Sequence, residues 1–302
     1  MPSYNARFIP NSCVPNSHIR EHCSAHRSQI TTIGRNKGQQ VRIERDTPDG
    51  VTLALYTVID VHDEEPDVVF VGYRDPESTH HDLRDRLGLS GIEPFTGKIK
   101  SEVPHPTFTD AEAEECSEFV ERLTDNGCHQ GLIAIAPHGG LIERHTDEQA
   151  EPVGDRLASK CVSVWVCNGL KEGGGAFDRW HITSTDISEE SFPKLRTVIG
   201  RHFEYAVAFH GWNEKSICIG GSAPPDLKDQ IKTAIRNAIP DREIKVITDE
   251  EGCPGAFNGN DPKNIVNRLG TNGVQIEQSI DARTGFGCEI ADAVADVIGP
   301  KI

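Results

Sequence analysis

The sequence predicts an α/β fold, a largely parallel twisted sheet flanked by helices, preceded by a small β-rich extension. Three observations point there. GLIAIAP (131–137), CVSVWVC (161–167) and YAVAFHG (205–211) are continuous apolar runs, the mark of strands buried on both faces. Helical stretches such as PDLKDQIKTAIRNAI and the segment near 288–298 alternate with such runs, which implies helices on both faces of the sheet. Before residue 106 the pattern changes to short alternating runs bounded by turn residues.

Residues 1–30 are polar and turn-rich and read as an N-terminal tail or loops. His18, His22 and His26 recur every four residues; on a helix they would share a face and could bind metal. The alternative is a polar segment that happens to hold histidines. Residues 31–105 form the β-rich extension. QVRIERD, the turn DTPDG and VTLALYTVIDV predict a hairpin over 40–61, and DVVFVGYR (67–74) predicts a further strand. Residues 84 to about 108 read as a connector.

The α/β domain is expected over 106–302. Helix formers over 110–125, with Phe119, Val120 and Leu123 on one side, predict its first helix. Thr146 with Gln149 three residues on resembles a capping box, so a helix is expected from 147 to about 159. KEGGGAFDRW has neither the Lys-Ser/Thr of a P-loop nor a dinucleotide fingerprint, and reads as a flexible loop. HITST predicts a short strand, SFPKLRTVIGRH a helix, and SICIGG, EIKVIT and GVQIEQS further strands. There is no internal repeat.

Composition narrows the function classes. The 302 residues carry a formal net charge of -16, so a nucleic-acid partner is not expected, because such binding rests on Lys and Arg neutralising phosphates. The nine cysteines form no CxxC pair and no compact disulfide framework. Cys161, Cys167 and Cys218 lie in apolar runs and are expected to be small core residues. The N-terminus lacks the apolar stretch of a secretory signal, and no run of about 18 apolar residues marks a membrane span. The expectation is a soluble protein of the reducing cytoplasm without a membrane partner. Nothing in the sequence reports oligomeric state.

Two apolar runs end alike, one at His138-Gly139-Gly140 and the other at His210-Gly211. Ligands of open α/β sheets collect outside the carboxyl ends of strands, and a glycine after each His keeps space around the imidazole. If the two strands are neighbours, both rings face one crevice. Glu143, five residues after His138, can fold back beside it. Two histidines and a carboxylate suit a catalytic zinc, leaving a position open for water. The other reading is a set of hydrogen-bonded loop residues. In GVQIEQS, Gln275 and Glu277 share one face while Val274 and Ile276 point to the core. Glu277 is thus a candidate general base, with Gln275 a substrate contact on the same face; a half-exposed strand with one wet face reads equally well.

Taken together, APHGGLIERHT (136–146), WHITST (180–185), AFHGW (208–212) and NIVNRLGTNGVQIEQS (264–279) resemble the poly-γ-glutamate hydrolase family, which includes phage enzymes. GQQVRIERD (38–46) and ALYTV (54–58) resemble the N-terminal extension of longer members. The resemblance spans roughly 36–295. It implies a mixed-sheet α/β fold akin to zinc carboxypeptidases and one Zn2+ per chain, held by His138, Glu143 and His210, with Glu277 as the base. It also implies poly-γ-glutamate or a related amide as substrate.

The expected chemistry is metal-assisted amide hydrolysis. Arg268 and Arg283 flank the Glu277 strand and are candidates to stabilise the oxyanion, against the alternative of arginines paired with surface carboxylates. The family pattern leads one to expect an Arg soon after that strand, and Arg283 follows only a slightly altered run. His181 is a candidate substrate contact, or a support for the metal ligands. Another zinc amidohydrolase, carboxypeptidase-like or an N-acyl amino acid deacylase, suits the same residues, as does a binding protein on the same fold. No G-x-S-x-G elbow is present, which disfavours a serine hydrolase.

Overall fold

In the computed structural model the described residues are 2–11, 20–48, 50–72, 86–88, 93–125, 127, 129–160, 162–171 and 173–302. Six strands open the chain: β1 (Ser3–Asn11), β2 (His22–His26), β3 (Gln40–Thr47), β4 (Gly50–His62), β5 (Val68–Gly72) and β6 (Phe95–Lys100). They close a barrel in the order β1-β5-β2-β4-β3-β6. The β3–β4 hairpin pairs as its alternation predicts, from Gln40 against Thr57 to Thr47 against Gly50. Helix α1 (Arg27–Ile33) follows β2 and stops at Gly34, whose φ of 68° suits the left-handed cap.

The barrel corrects two expectations. Residues 3–11 and 22–26 are strands rather than a tail, and the supposed connector contains β6. β1 buries Ala6 and Phe8 in the barrel, but its polar alternate residues, with Asn and Pro, hide the pattern. Its partners are also remote, since β1 pairs with β5 and β6 some sixty to a hundred residues on. His22 and His26 lie on a strand, where His22 meets Asp186 and His26 caps α1, so the helical metal reading does not apply to them. His18, Cys13, Cys128 and Cys161 lie outside the described residues.

The rest of the chain builds a seven-stranded sheet. Its elements are α2 (Asp110–Cys116), β7 (Phe119–Thr124), β8 (Leu132–Gly140), α3 (Asp147–Arg156), β9 (Ser163–Gly169), α4 (Ala176–Trp180), α5 (Leu195–Val198), β10 (Phe203–Gly211), β11 (Ser216–Gly220), α6 (Pro225–Ala238), β12 (Lys245–Thr248), α7 (Ile265–Leu269), β13 (Gly270–Gln278) and α8 (Ile280–Ile298). The order is β12-β11-β13-β10-β8-β9-β7. Pairing is parallel except for β11 against β13 and β7 against β9, so the sheet is mixed. One core lies between the sheet and α3, α6 and α8; the other lies under α4, α5 and α7 and takes in Leu55 of the barrel.

Three local expectations give way. The helix expected over 110–125 ends at Cys116, where Ser117 turns left-handed (φ 54°), and Phe119–Thr124 pairs with β9 instead. Phe119 and Val120 favour a half-buried strand, and sheet pairing overrides the helix formers around them. HITST is a turn, and Thr146 precedes α3 without a side-chain cap bond. No helix among the described residues is long and apolar enough to cross a membrane.

Candidate active site

β8, β10 and β13 are adjacent and parallel, and their carboxyl ends bring the site together. In β10 against β13, His210 is in register with Glu277, so both side chains leave the same face. Ile135 of β8 pairs with Ala208. Strict alternation would then place Pro137, not His138, beside His210. A register shift between Ala136 and Gly139 intervenes and turns His138 to that side. Gly139 is needed there, because a Cβ would lie 2.3 Å from Asn168 Oδ1 and 2.9 Å from Asp147 Cβ.

The turn after β8 carries Glu143 back to the strand end. Its N–H donates to the His138 carbonyl at 2.9 Å, and the Thr146 hydroxyl donates to the same carbonyl at 3.3 Å. That is where the expected cap hydroxyl goes. His145, in the left-handed region (φ 72°), points to Glu148.

Four atoms of three side chains then converge. His138 Nδ1 lies 3.0 Å from Glu143 Oε1, and His210 Nδ1 lies 3.2 Å from both His138 Nδ1 and Glu143 Oε2. Gly211 N–H donates to Glu143 Oε2 at 2.9 Å. All three side chains are buried. His138 Nε2 meets the Ile182 carbonyl at 2.8 Å and must donate to it, since a carbonyl only accepts. In neutral His138 the Nδ1 lone pair therefore faces a carboxylate oxygen. That arrangement is repulsive unless a cation, an extra proton or a metal ion, sits between them.

The set fits zinc. Tetrahedral ligands at about 2.0–2.1 Å from the ion lie roughly 3.3 Å from one another. His181 is a fourth donor nearby; with His138 and Glu143 it can bring ligand atoms within 4.8 Å of one another. Its Nε2 is 3.8 Å from Glu143 Oε1, so His210 is the better-placed third ligand. Burial pushes the Glu143 carboxyl up, but the neighbouring His138 and His210 outweigh it and hold it well below its usual range. Burial pushes His210 down, whereas His138, also buried, is raised on balance by Glu143.

Glu277 and His210 line one cleft of about 560 Å³ with His138, Glu143 and His181. Burial, then the nearby Glu143 charge, raises the Glu277 pKa well above 4.5. Gln275 donates to Glu277 Oε1 at 2.8 Å and to the Phe257 carbonyl at 3.2 Å, while Asn264 donates to Gln275 Oε1 at 2.7 Å. Both N–H groups of the Gln275 amide are thus engaged, one of them on Glu277.

Neither arginine lines the cleft. Arg268 is tied to the Ile187 carbonyl at 2.7 Å and to Glu189. Arg283 packs on the opposite side of β10: a Cβ on Gly211 would lie 2.2 Å from its Cζ, and its Nη1 donates to the Arg144 carbonyl at 2.7 Å. It stays near enough to Glu277 and Glu143 to feel both charges. No Lys or Arg occurs among the described lining residues; the Arg20 guanidinium lies 5.8 Å from the ring centroid of the lining Phe177.

The sequence reading missed the aromatic walls Phe177, Trp212 and Phe257 and the support from Asn264, although Trp212 and Asn264 lie in quoted motifs. It also missed a Cys218–Cys253 disulfide, with Cα atoms 6.0 Å apart, behind Trp212. Cys218 is in the core as expected, yet its thiol is not free; its partner, 35 residues away, carried no sequence signal.

The family described as "Poly-gamma-glutamate hydrolase" matches residues 107–291, more than half of the chain. Among solved structures, a bacteriophage poly-gamma-glutamate hydrolase is similar at 23% identity, covering 60% of this chain and 89% of its own, with a TM-score of 0.47. A structure titled "YNDL-apo (Zinc-free)" is similar at 21% identity over 60% and 90%, TM-score 0.47. A metallo-carboxypeptidase from Burkholderia cenocepacia is similar at 12% identity over 72% and 80%, TM-score 0.42. No curated protein matches the sequence.

Proposed function

The chain belongs to the poly-gamma-glutamate hydrolase family, and from that premise we propose that it hydrolyses γ-glutamyl amide bonds with one zinc ion held by His138 Nδ1, Glu143 and His210 Nδ1. The observation that carries this reading is the cluster of His138 Nδ1, His210 Nδ1 and both Glu143 carboxylate oxygens, with contacts of 3.0–3.2 Å at the end of three parallel strands, in which the His138 lone pair faces a carboxylate oxygen and a shared cation would relieve the repulsion. When bound, zinc supplies Lewis acidity that polarises an amide carbonyl and acidifies water.

The protein's own residues do the rest. Glu277 takes a proton from water in the cleft and returns it to the leaving nitrogen. Its raised pKa keeps it a strong enough base for that exchange near neutral pH. Asn264 and Gln275 hold the Glu277 carboxylate in one orientation. The His138 ring is oriented by the Ile182 carbonyl. His181, stacked on Phe177 with ring centroids 4.4 Å apart, faces the cleft and contacts the substrate. With Arg268 engaged elsewhere and Arg283 behind Gly211, neither touches the scissile group.

A second reading has its own support. The net charge of -16 and a described lining without Lys or Arg suit a neutral acyl amide better than a polyanion. Elemental analysis of metal-loaded protein, followed by an assay on poly-γ-glutamate and on neutral N-acyl amino acids, tests both. One zinc per chain with release of γ-glutamyl fragments is the expected result. Turnover of the neutral amides alone would move the substrate to the second reading, and absence of any bound divalent metal would end the hydrolytic one.

A further inference from the structure

We infer that the N-terminal barrel completes the active site, and that its Glu21 is a positioning residue which acts through His181. The inference rests on the reading of the site given above.

The segment 181–188, of which His181, Thr183, Ser184 and Thr185 line the cleft, has no helix or strand to fix it. Several of its backbone groups are satisfied by barrel side chains. Arg86 donates to the carbonyls of Arg179 at 3.0 Å and His181 at 2.9 Å, and Gln40 donates to Asp186 O at 2.6 Å and accepts from Ser188 N–H at 3.0 Å. The barrel therefore shapes the same segment that presents His181 to the cleft and Ile182 O to His138.

Glu21 is the point of closest control. It is buried, 5% exposed, and lies 160 residues from His181 and outside the residues that match the family. Oε1 accepts from His181 Nδ1, while Oε2 accepts from Thr183 N–H at 2.9 Å and from Thr183 Oγ1 at 3.1 Å. Arg86 Nη1 stands 3.7 Å away as the countercharge. A carboxylate only accepts, so the His181 proton facing it is on Nδ1 and Nε2 is turned to Glu143, 3.8 Å away. The same bonds hold Thr183, and with it the Ile182 carbonyl between the two anchored residues. A hydrogen-bonded carboxylate behind an imidazole fixes both the ring and its tautomer, and its loss typically costs about 10–100-fold.

The test uses the full chain with Glu21→Ala, Glu21→Gln, His181→Ala and the Glu21→Ala/His181→Ala pair. Glu21→Gln is isosteric and keeps the fold should Glu21→Ala lose it; its amide would face the Thr183 N–H, donor against donor. With zinc loaded, kcat should fall about 10–100-fold in each Glu21 variant while KM moves less than about threefold. The double variant should be no slower than His181→Ala, because the two residues act as one unit. In the metal-free chain, the imidazole Nδ1–H proton resonance assigned through His181→Ala should be present in the wild type and lost or shifted in both Glu21 variants. Wild-type kcat in the Glu21 variants, or multiplicative losses in the double variant, would overturn the inference. An inactive wild type would instead count against the hydrolase reading, and the resonance would then decide the Glu21–His181 contact by itself, its absence in the wild type overturning it.

Discussion

Glu277→Gln should make the protein inactive and more stable at once. The carboxyl is 5% exposed, and burial and Glu143 raise its folded pKa well above 4.5. Its unfolded value is about 4.3. The stability contributed by the protonated carboxyl is whole below that unfolded value and is lost as pH rises towards the folded one. Each unit of elevation therefore withholds about 1.4 kcal/mol at higher pH. For a chain of this length, with unfolding entropy near 2.1 cal/mol/K per residue, that is about 2 °C in Tm. Gln is isosteric, uncharged and able to keep the bond from Gln275. Thermal melts in chelator, wild type beside variant, should coincide near pH 4.3 and diverge at pH 7 with the variant higher. With zinc restored, metal content should be unchanged and kcat should fall about 10²–10⁴-fold. A variant that melts no higher than wild type at pH 7 would refute the buried-charge argument. One that keeps turnover within tenfold would refute the base.

Other consequences are open to direct measurement. His138→Ala and His210→Ala should each reduce bound zinc from one per chain to none by elemental analysis, since each removes one of the clustered ligands. Gly211→Ala should push the Arg283 guanidinium off β10, a cost of about 1–3 kcal/mol readable by denaturant titration. Reducing Cys218–Cys253, which closes a loop of sequence separation 35, should remove about 4 kcal/mol of stability. Alkylation mass spectrometry before and after reductant should show these two cysteines protected, in contrast to Cys116 and Cys288, which are exposed and free.

Much of the site was legible because its signals are local. Apolar runs identify the central strands whatever they pair with, and His-Gly after two of them marks strand ends where a turn must follow. The fold-back of Glu143 spans five residues, and the alternation of Gln275 and Glu277 is a property of one strand. Pairing was beyond that reach. The register of His210 against Glu277 depends on partners 67 residues apart, and the irregularity that turns His138 to their side on partners about 30 residues apart. The same holds for the roles of single residues. Gln275, Arg268 and Arg283 have the right chemistry for a substrate contact, but what their polar groups meet is decided by Asn264, Glu189 and the Arg144 carbonyl. Glu21 is the extreme case. Nothing around it in the sequence distinguishes it from any other acid, and only closure of the barrel against the sheet brings it to His181, because a hydrogen bond needs two groups in one place and the sequence specifies each of them separately.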